Sequence, residues 1–254
     1  MISIIIPTMT DNVKYATLCT DSLEKNTMKF AFEIILAPNG RGTDELQGQC
    51  AAVNKAVEKA KGDWIMLSND DMYYAPGWDK NFYPVEDCFS PNLVEPTDNA
   101  GSAPPFLKLD AGFTIDKFKP EIVDKFVGEF NENTIENGFN LPFFIKKDLW
   151  KKIHGYDEMY DPWGSNGDSD LQYKIELAGI QPKRHRGMLV YHFSNKSGTF
   201  KPENQTYWSR NFEYFKEKWG FERVGSPEVW YHDIKIDLNK LKFNPEWSRY
   251  RRYE

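Results

Sequence analysis

The chain has 254 residues, 32 Lys and Arg against 38 Asp and Glu for a net charge of −6, and 15% aromatic residues. Such a length buries a core without disulfide or metal staples, the aromatic content excludes a disordered chain, and the negative balance argues against a dedicated nucleic-acid binder, whose affinity rests on cations meeting phosphate. Three widely spaced cysteines, Cys19, Cys50 and Cys88, suit neither a disulfide framework nor a zinc site and point to a reducing, cytoplasmic setting, while no apolar run approaches the roughly 18 residues of a membrane span.

Ile2 to Ile6, closed by Pro7, is an apolar run of the kind found in strands buried on both faces. It is too short for the apolar region of a signal peptide. Thr10, Asp11 or Asn12 can cap a following helix with Val13, Ala16, Leu18 and Leu23 on its apolar side. Phe32 to Leu36 is a second strand, ended by the turn Pro38-Asn39-Gly40. Leu46, Cys50, Val53, Val57 and Ala60 step by fours and threes, the spacing of an amphipathic helix that Gly62 ends. Trp64 to Leu67 is a third strand, running directly into Ser68-Asn69-Asp70-Asp71. Strand–helix–strand–helix–strand implies right-handed crossovers and a parallel sheet. Ligands of such sheets bind beyond the carboxyl ends of the strands, where Pro7-Thr8, Pro38-Asn39 and Asn69-Asp70-Asp71 fall.

Residues 84–110, rich in Pro, Asn and Asp, read as loop and short strand. A helix is marked by Ile122, Phe126, Val127 and Phe130, a strand by Leu141 to Ile145, and a short helix by Lys147 to Ile153. The loop from Pro162 to Asp170 precedes a helix with Leu171, Ile175 and Ala178 on one side. Met188 to Phe193 is a strand, and Trp208, Phe212, Phe215 and Trp219 line a last helix. The end, from Trp247 to Glu254, is basic and aromatic, which suits a solvated terminus or a subunit interface. The reading is one domain over 1–200, in two halves (1–100 and 101–200), and a helical, aromatic extension over 201–254 packed on it.

Three places could carry chemistry. Asp70 and Asp71 at a strand end repel unless a cation screens them. A solvated turn is the plain reading, an oxygen-ligand site for Mg²⁺ or Mn²⁺ the functional one. Asp168-Ser169-Asp170 opens a helix, either as cap and first-turn acid or as a base at a site rim. His192 ends a strand; a lone histidine is usually structural, yet imidazole beside carboxylates favours Mn²⁺. Trp163 and Trp78 lie in loops, where a flat ring can stack on a sugar or simply pack.

Taken together, these segments resemble the family 2 glycosyltransferases of GT-A fold, particularly rhamnosyltransferase-like bacterial and phage members, over residues 1–220. Ile2 to Thr8 is similar to the family's opening strand and nucleotide-binding turn. Ala51 to Val57 with Ala60 to Trp64 resembles the helix and strand before the metal motif, and Asn69-Asp70-Asp71 resembles its DXD-type motif. Phe144 to Glu158 is similar to the segment before the acceptor site, Trp163-Gly164 with Gly167 to Leu171 resembles the motif supplying the base, and Lys218-Trp219-Gly220 a common ending. The acid that follows the family's second strand is Pro38 here, with Asn39 beside it.

The resemblance implies a Rossmann-like α/β fold with a central, mostly parallel sheet flanked by helices, and an inverting, Mn²⁺- or Mg²⁺-dependent transferase. Asp168 would be the base; Asp71, His192 and Asp70 would hold the metal. The nucleotide sugar, a UDP-sugar first among donors, would meet Pro7, Thr8, Asn39, Arg41, Asn54, Asn69 and Asp70; Trp163, Gly164 and Asp170 would meet a saccharide or other hydroxyl acceptor. No stable nucleic-acid complex and no transmembrane segment are expected; a homo-oligomer stays open. The rivals are a sugar nucleotidyltransferase, whose Gly-rich loop after the first strand is replaced here by Pro7-Thr8-Met9-Thr10, and a non-catalytic carbohydrate- or partner-binding domain on a degenerate scaffold.

Overall fold

The computed structural model describes residues 1–9, 12–39, 48–97, 106–194, 196, 201–220, 224–226 and 228–237. Among these residues, nine strands form one sheet: β1 (Ile2–Thr8), β2 (Phe32–Pro38), β3 (Trp64–Leu67), β4 (Met72–Tyr73), β5 (Cys88–Pro96), β6 (Leu107–Leu109), β7 (Ile135–Asn137), β8 (Phe143–Lys146) and β9 (Lys183–His192). Six α-helices among the described residues accompany it: α1 (Val13–Asn26), α2 (Gln49–Lys59), α3 (Pro120–Glu129), α4 (Lys147–Lys152), α5 (Gly167–Leu177) and α6 (Gln205–Trp219). The strand order is β2-β1-β3-β8-β5-β9-β4, with β6 on β5 and β7 on β9. The long ladders, β1 with β2 and β3 and β5 with β9, are parallel; β8 runs antiparallel between β3 and β5.

The unbroken apolar strands follow from burial on both faces. Along β1, Ile5 points into one core while Ile2, Ile4 and Ile6 point into the other; β3 splits likewise into Ile65 and Leu67 against Met66, and β8 into Phe143 and Ile145 against Phe144. The first face is covered by α2, α5 and α6 through Val53, Val57, Leu171, Ile175, Phe215 and Trp219. The second is covered by α1 through Cys19 and Leu23. A third cluster places Val123 and Val127 of α3 under Leu189 and Tyr191 of β9. Each fully buried side chain of this size contributes roughly 1.5–3 kcal/mol. Much of the aromatic content sits here, as in the stack of Phe89 on Phe144, with centroids 4.8 Å apart and planes at 10°.

Two expectations need correction. The described part of residues 84–110 holds more than loop and short strand: β5 is a nine-residue strand, buried throughout, between β8 and β9. Its prolines disguise it, and the register shift between Pro91 and Asn92 absorbs the missing N–H. The strand ending at His192 begins at Lys183, five residues before the expected start at Met188, because the charged Lys183, Arg184 and Arg186 conceal its first half.

Candidate active site at the carboxyl edge of the sheet

β1, β2 and β3 all deliver their carboxyl ends to one edge, where the turn 68–71 leaves β3. Ser68 Oγ and Tyr74 Oη lie 2.6 Å apart across it, and Asn12 Nδ2 donates to Asp70 Oδ1 at 2.9 Å. Asp71 is brought to His192 by backbone pairing: Met72 faces His192 in the β4–β9 ladder, and Phe193 N donates to Asp71 O at 3.0 Å. His192 Nε2 then lies 3.5 Å from Asp71 Oδ1 and its Nδ1 2.9 Å from Glu95 Oε1. Asp71 and Glu95 are 5% and 3% exposed. Burial opposes the imidazolium, but the two carboxylates outweigh it and push His192 up to about 10. Burial likewise raises Asp71, and His192 more than offsets this, leaving it below the ordinary carboxylate range. Two buried carboxylates thus demand a cation between them.

A divalent ion fits this demand in part. Two adjacent ligands at roughly 2.1 Å in octahedral geometry sit about 3.0 Å apart, close to the 3.5 Å between Asp71 Oδ1 and His192 Nε2. Glu95 on Nδ1 supplies the outer carboxylate that commonly orients a ligating imidazole. Among the described residues no group of three or more His, Cys, Asp and Glu is arranged to hold a metal, so the remaining ligands would have to be diphosphate oxygens and water.

Asp168 is positioned separately, beside Cys50 at the start of α2, which Gly48 N ties to Asn39 O just after β2 at 3.0 Å. It lies in the first turn of α5, and its Oδ1 accepts from Tyr156 Oη at 2.5 Å. Burial raises its carboxyl to about 6, against the lowering effect of that hydrogen bond. The loop 155–166 is tied to α2, which starts at the carboxyl edge of β2. Asn54 Nδ2 donates to Tyr156 O (2.9 Å) and Glu158 Oε1 (2.7 Å), and Tyr156 N donates to Asn54 Oδ1 (3.0 Å). Asp161 accepts from Cys50 N (2.8 Å) and Ala51 N (3.0 Å), so it caps α2 from a distant part of the chain. From the other side Asn211 of α6 donates to Tyr160 O at 2.6 Å and Ser165 Oγ at 3.0 Å.

Two expected contacts are not what the structure builds. Asp170 is fully buried: its Oδ1 takes Lys218 Nζ at 2.7 Å and Trp219 Nε1 at 2.8 Å, and its Oδ2 lies 3.4 Å from Lys174 Nζ. It anchors α5 to α6 rather than facing an acceptor. Asn54 spends both Nδ2 hydrogens inside the protein and holds the loop, not a nucleotide. Pro7 is buried and Thr8 half-buried at the end of β1, where Thr8 O accepts from Asn39 N at 3.1 Å. Asn39 is 2% exposed, Asn69, Trp163 and Gly164 are half-buried, and Gly164 takes a left-handed φ of 70°. Arg41 and the terminal stretch 247–254 lie outside the described residues. Glu95 and Asp161 escaped the sequence reading, and Tyr156 entered it only as part of the segment from Phe144 to Glu158, with no role of its own. Glu95 was hidden in a segment that looked like loop, and the other two matter through partners in distant elements.

Residues 43–85, which include Asp70 and Asp71, match the family described as Glycosyl transferase family 2. No curated protein sequence matches the chain. Among solved structures, GalNAc-T7 with UDP, GalNAc and Mn²⁺ aligns at a TM-score of 0.53 and 15% identity over 76% of this chain and 43% of that one. S. aureus TarS in complex with UDP-GlcNAc gives 0.44 at 14% identity over 76% and 60%. A Drosophila β-1,4-galactosyltransferase 7 complex with manganese, UDP-Gal and xylobiose gives 0.48 at 14% over 81% and 78%. The chain spans less than half the length of GalNAc-T7, and at such identity the likeness is one of fold. The fold is GT-A, and residues 43–85 are similar to the family 2 glycosyltransferases.

Proposed function

We propose that this chain is a metal-dependent, inverting glycosyltransferase that moves a sugar from a nucleoside-diphosphate donor to an acceptor hydroxyl. The observation that carries the reading is Asp71, inside the family-matched segment, lying 3.5 Å from the distant His192 at the edge where sheet ligands bind. GalNAc-T7 was solved with UDP and Mn²⁺, which supports a uridine diphosphate donor and a divalent ion for this chain.

Asp71 and His192 would hold the ion, with Asp70 beside them, and Glu95 would fix the imidazole so that Nε2 faces Asp71. When bound, the ion supplies Lewis-acid stabilisation of the diphosphate leaving group. Asp168 takes the proton of the acceptor hydroxyl as that oxygen attacks C1 from the face opposite the leaving group, which inverts the anomeric centre. A base near 6 suits that task, being ionised at neutral pH yet basic enough to accept a proton.

A panel of nucleotide sugars assayed for Mn²⁺-dependent release of nucleoside diphosphate tests the reading. Turnover of at least one donor is expected, with Asp168→Asn losing at least roughly 100-fold in rate while donor binding by calorimetry is kept. Donor binding without turnover would favour a non-catalytic carbohydrate-binding domain, and retention of the donor's anomeric configuration in the product would exclude single displacement.

A further inference from the structure

We propose that the Tyr156 hydroxyl is a positioning group for Asp168: it holds one carboxylate oxygen and favours the ionised form, leaving Oδ2 to receive the acceptor proton. The inference deepens the function proposed above and rests on its assignment of Asp168 as the base.

The phenol is held from several sides. It is 1% exposed, and its ring meets Trp150 edge-on at 5.6 Å and 81°. Its backbone is clamped on both polar atoms by the Asn54 amide of α2. On one side Gly155 adopts a left-handed φ of 56°, and a Cβ there would lie 2.6 Å from Asn54 Oδ1 and from Trp150 Nε1. On the other, a Cβ on Gly167 would sit 3.4 Å from Cys50 Sγ and 3.6 Å from Tyr156 Cδ1. The hydroxyl therefore has one direction, toward Asp168 Oδ1 at 2.5 Å. Burial, with Asp168 beside it, keeps the phenol protonated far above neutral pH, so it acts as a donor throughout.

The other ionisable groups nearby do not replace it. Cys50, facing Asp168 from α2, is pushed up by burial and stays a neutral thiol. Asp161 and Asp157 bear on Cys50 from the loop; Asp161 is occupied by the α2 backbone, and Asp157 pairs with Lys218 of α6 at 2.6 Å. Asp170, on α5 itself, is satisfied by Lys218 and Lys174. Against the burial that disfavours ionised Asp168, the opposing influence is the Tyr156 hydrogen bond. Removing a hydrogen bond to a charged group moves such a carboxyl by about one to two pKa units. Without it the carboxylate would take up a proton at higher pH and swing away from the acceptor.

The test is a ¹³C NMR titration of labelled aspartate and tyrosine in the full chain over a range of about pH 4–9, with Asp168→Asn used for assignment. In the wild type, Asp168 Cγ should titrate near 6, and Tyr156 Cζ should move with the same midpoint. In Tyr156→Phe the Asp168 midpoint should rise by about one pH unit. An unchanged midpoint overturns the proposal. Should that variant not fold, the wild type decides, because a Tyr156 Cζ resonance flat through the Asp168 transition overturns it equally. The two readings fail separately. Undiminished transfer by Asp168→Asn removes the base and leaves the coupled titration standing, whereas loss of transfer with uncoupled resonances keeps the base and removes Tyr156.

Discussion

At the scale of single residues, the site holds charges that folding does not favour. Asp168 carries a carboxyl raised from 3.8 to about 6 by burial. A raised carboxyl means the folded chain binds its proton more tightly than the unfolded chain. Stability from this group is therefore full below about pH 4, declines as pH rises, and is lost above about 6. A carboxyl displaced this far costs about 3 kcal/mol at most once ionised, reduced to about 1–2 kcal/mol because the side chain is only half-buried. Asp168→Asn keeps an acceptor for Tyr156 and removes the charge. The variant should be about 1–2 kcal/mol more stable than wild type at about pH 8 and equal to it near pH 4, by urea denaturation at both pH values. An equal difference at both would show that ionisation is not the cause. At Asp71, Glu95 and His192 the balance runs the other way: the imidazolium between two buried acids more than offsets burial, so the folded chain favours the charged forms of Asp71 and His192.

At the scale of elements, α2 and α5 are joined end to end by the loop 155–166. The N-terminus of α2 has no side-chain cap of its own, since Gly48 occupies the capping position at a φ of 88°. Asp161 supplies both acceptors instead, and this is why residue 48 is glycine: a Cβ there would run into the Asp161 carboxyl group. Asp161→Ala should cost about 2–3 kcal/mol, from two lost charge-assisted bonds and two buried N–H groups left unpaired. Gly48→Ala should cost at least as much through the clash and the left-handed backbone. Chemical denaturation of both variants and of the double mutant checks this. The penalties should not add, because both break the same contact. Transfer activity should fall with Asp161→Ala, since Asp168 opens the helix that follows the loop thereby released.

At the scale of the whole molecule, the chain returns to close its own fold. Arg184, fully buried in β9, donates to both oxygens of Asp233 at 2.8 and 2.6 Å, to Glu136 at 3.0 Å and to Asn140 at 2.8 Å. This holds the stretch 228–237 against β9, where Ile236 joins the core of α2 and α6 and Gln172 of α5 donates to His232 O at 2.6 Å. Asp233→Ala leaves a buried guanidinium short of a partner and should cost about 3–5 kcal/mol. Arg184→Met with Asp233→Leu should recover much of that, because a buried ion pair gains little over apolar groups of similar size. A double-mutant cycle by denaturation, with limited proteolysis of the C-terminal stretch, measures it. Among the described residues no helix is long and apolar enough to cross a membrane.

The first three strands, α2 and the acidic turn 69–71 were legible from residue order, because strands buried on both faces and amphipathic helices write their periods directly into the chain. The same holds for Asp71, Asp168 and His192 as candidates, since each follows or opens an element whose end could be located. Partnership was not legible. Nothing local to Glu95 says that it meets His192, nothing near Tyr156 says that its hydroxyl finds Asp168, and Asp170, two residues from Asp168, turns inward to Lys218. Strand β5 was obscured for a related reason, as its prolines contradict strand propensity and only the register shift against β9 accommodates them. Local periodicity determined the elements and the edge where a ligand would bind. The assignment of each polar group to a buried partner or to the site was decided by packing, because unpaired charge in the interior is too costly to leave and its partner comes from wherever the fold brings one.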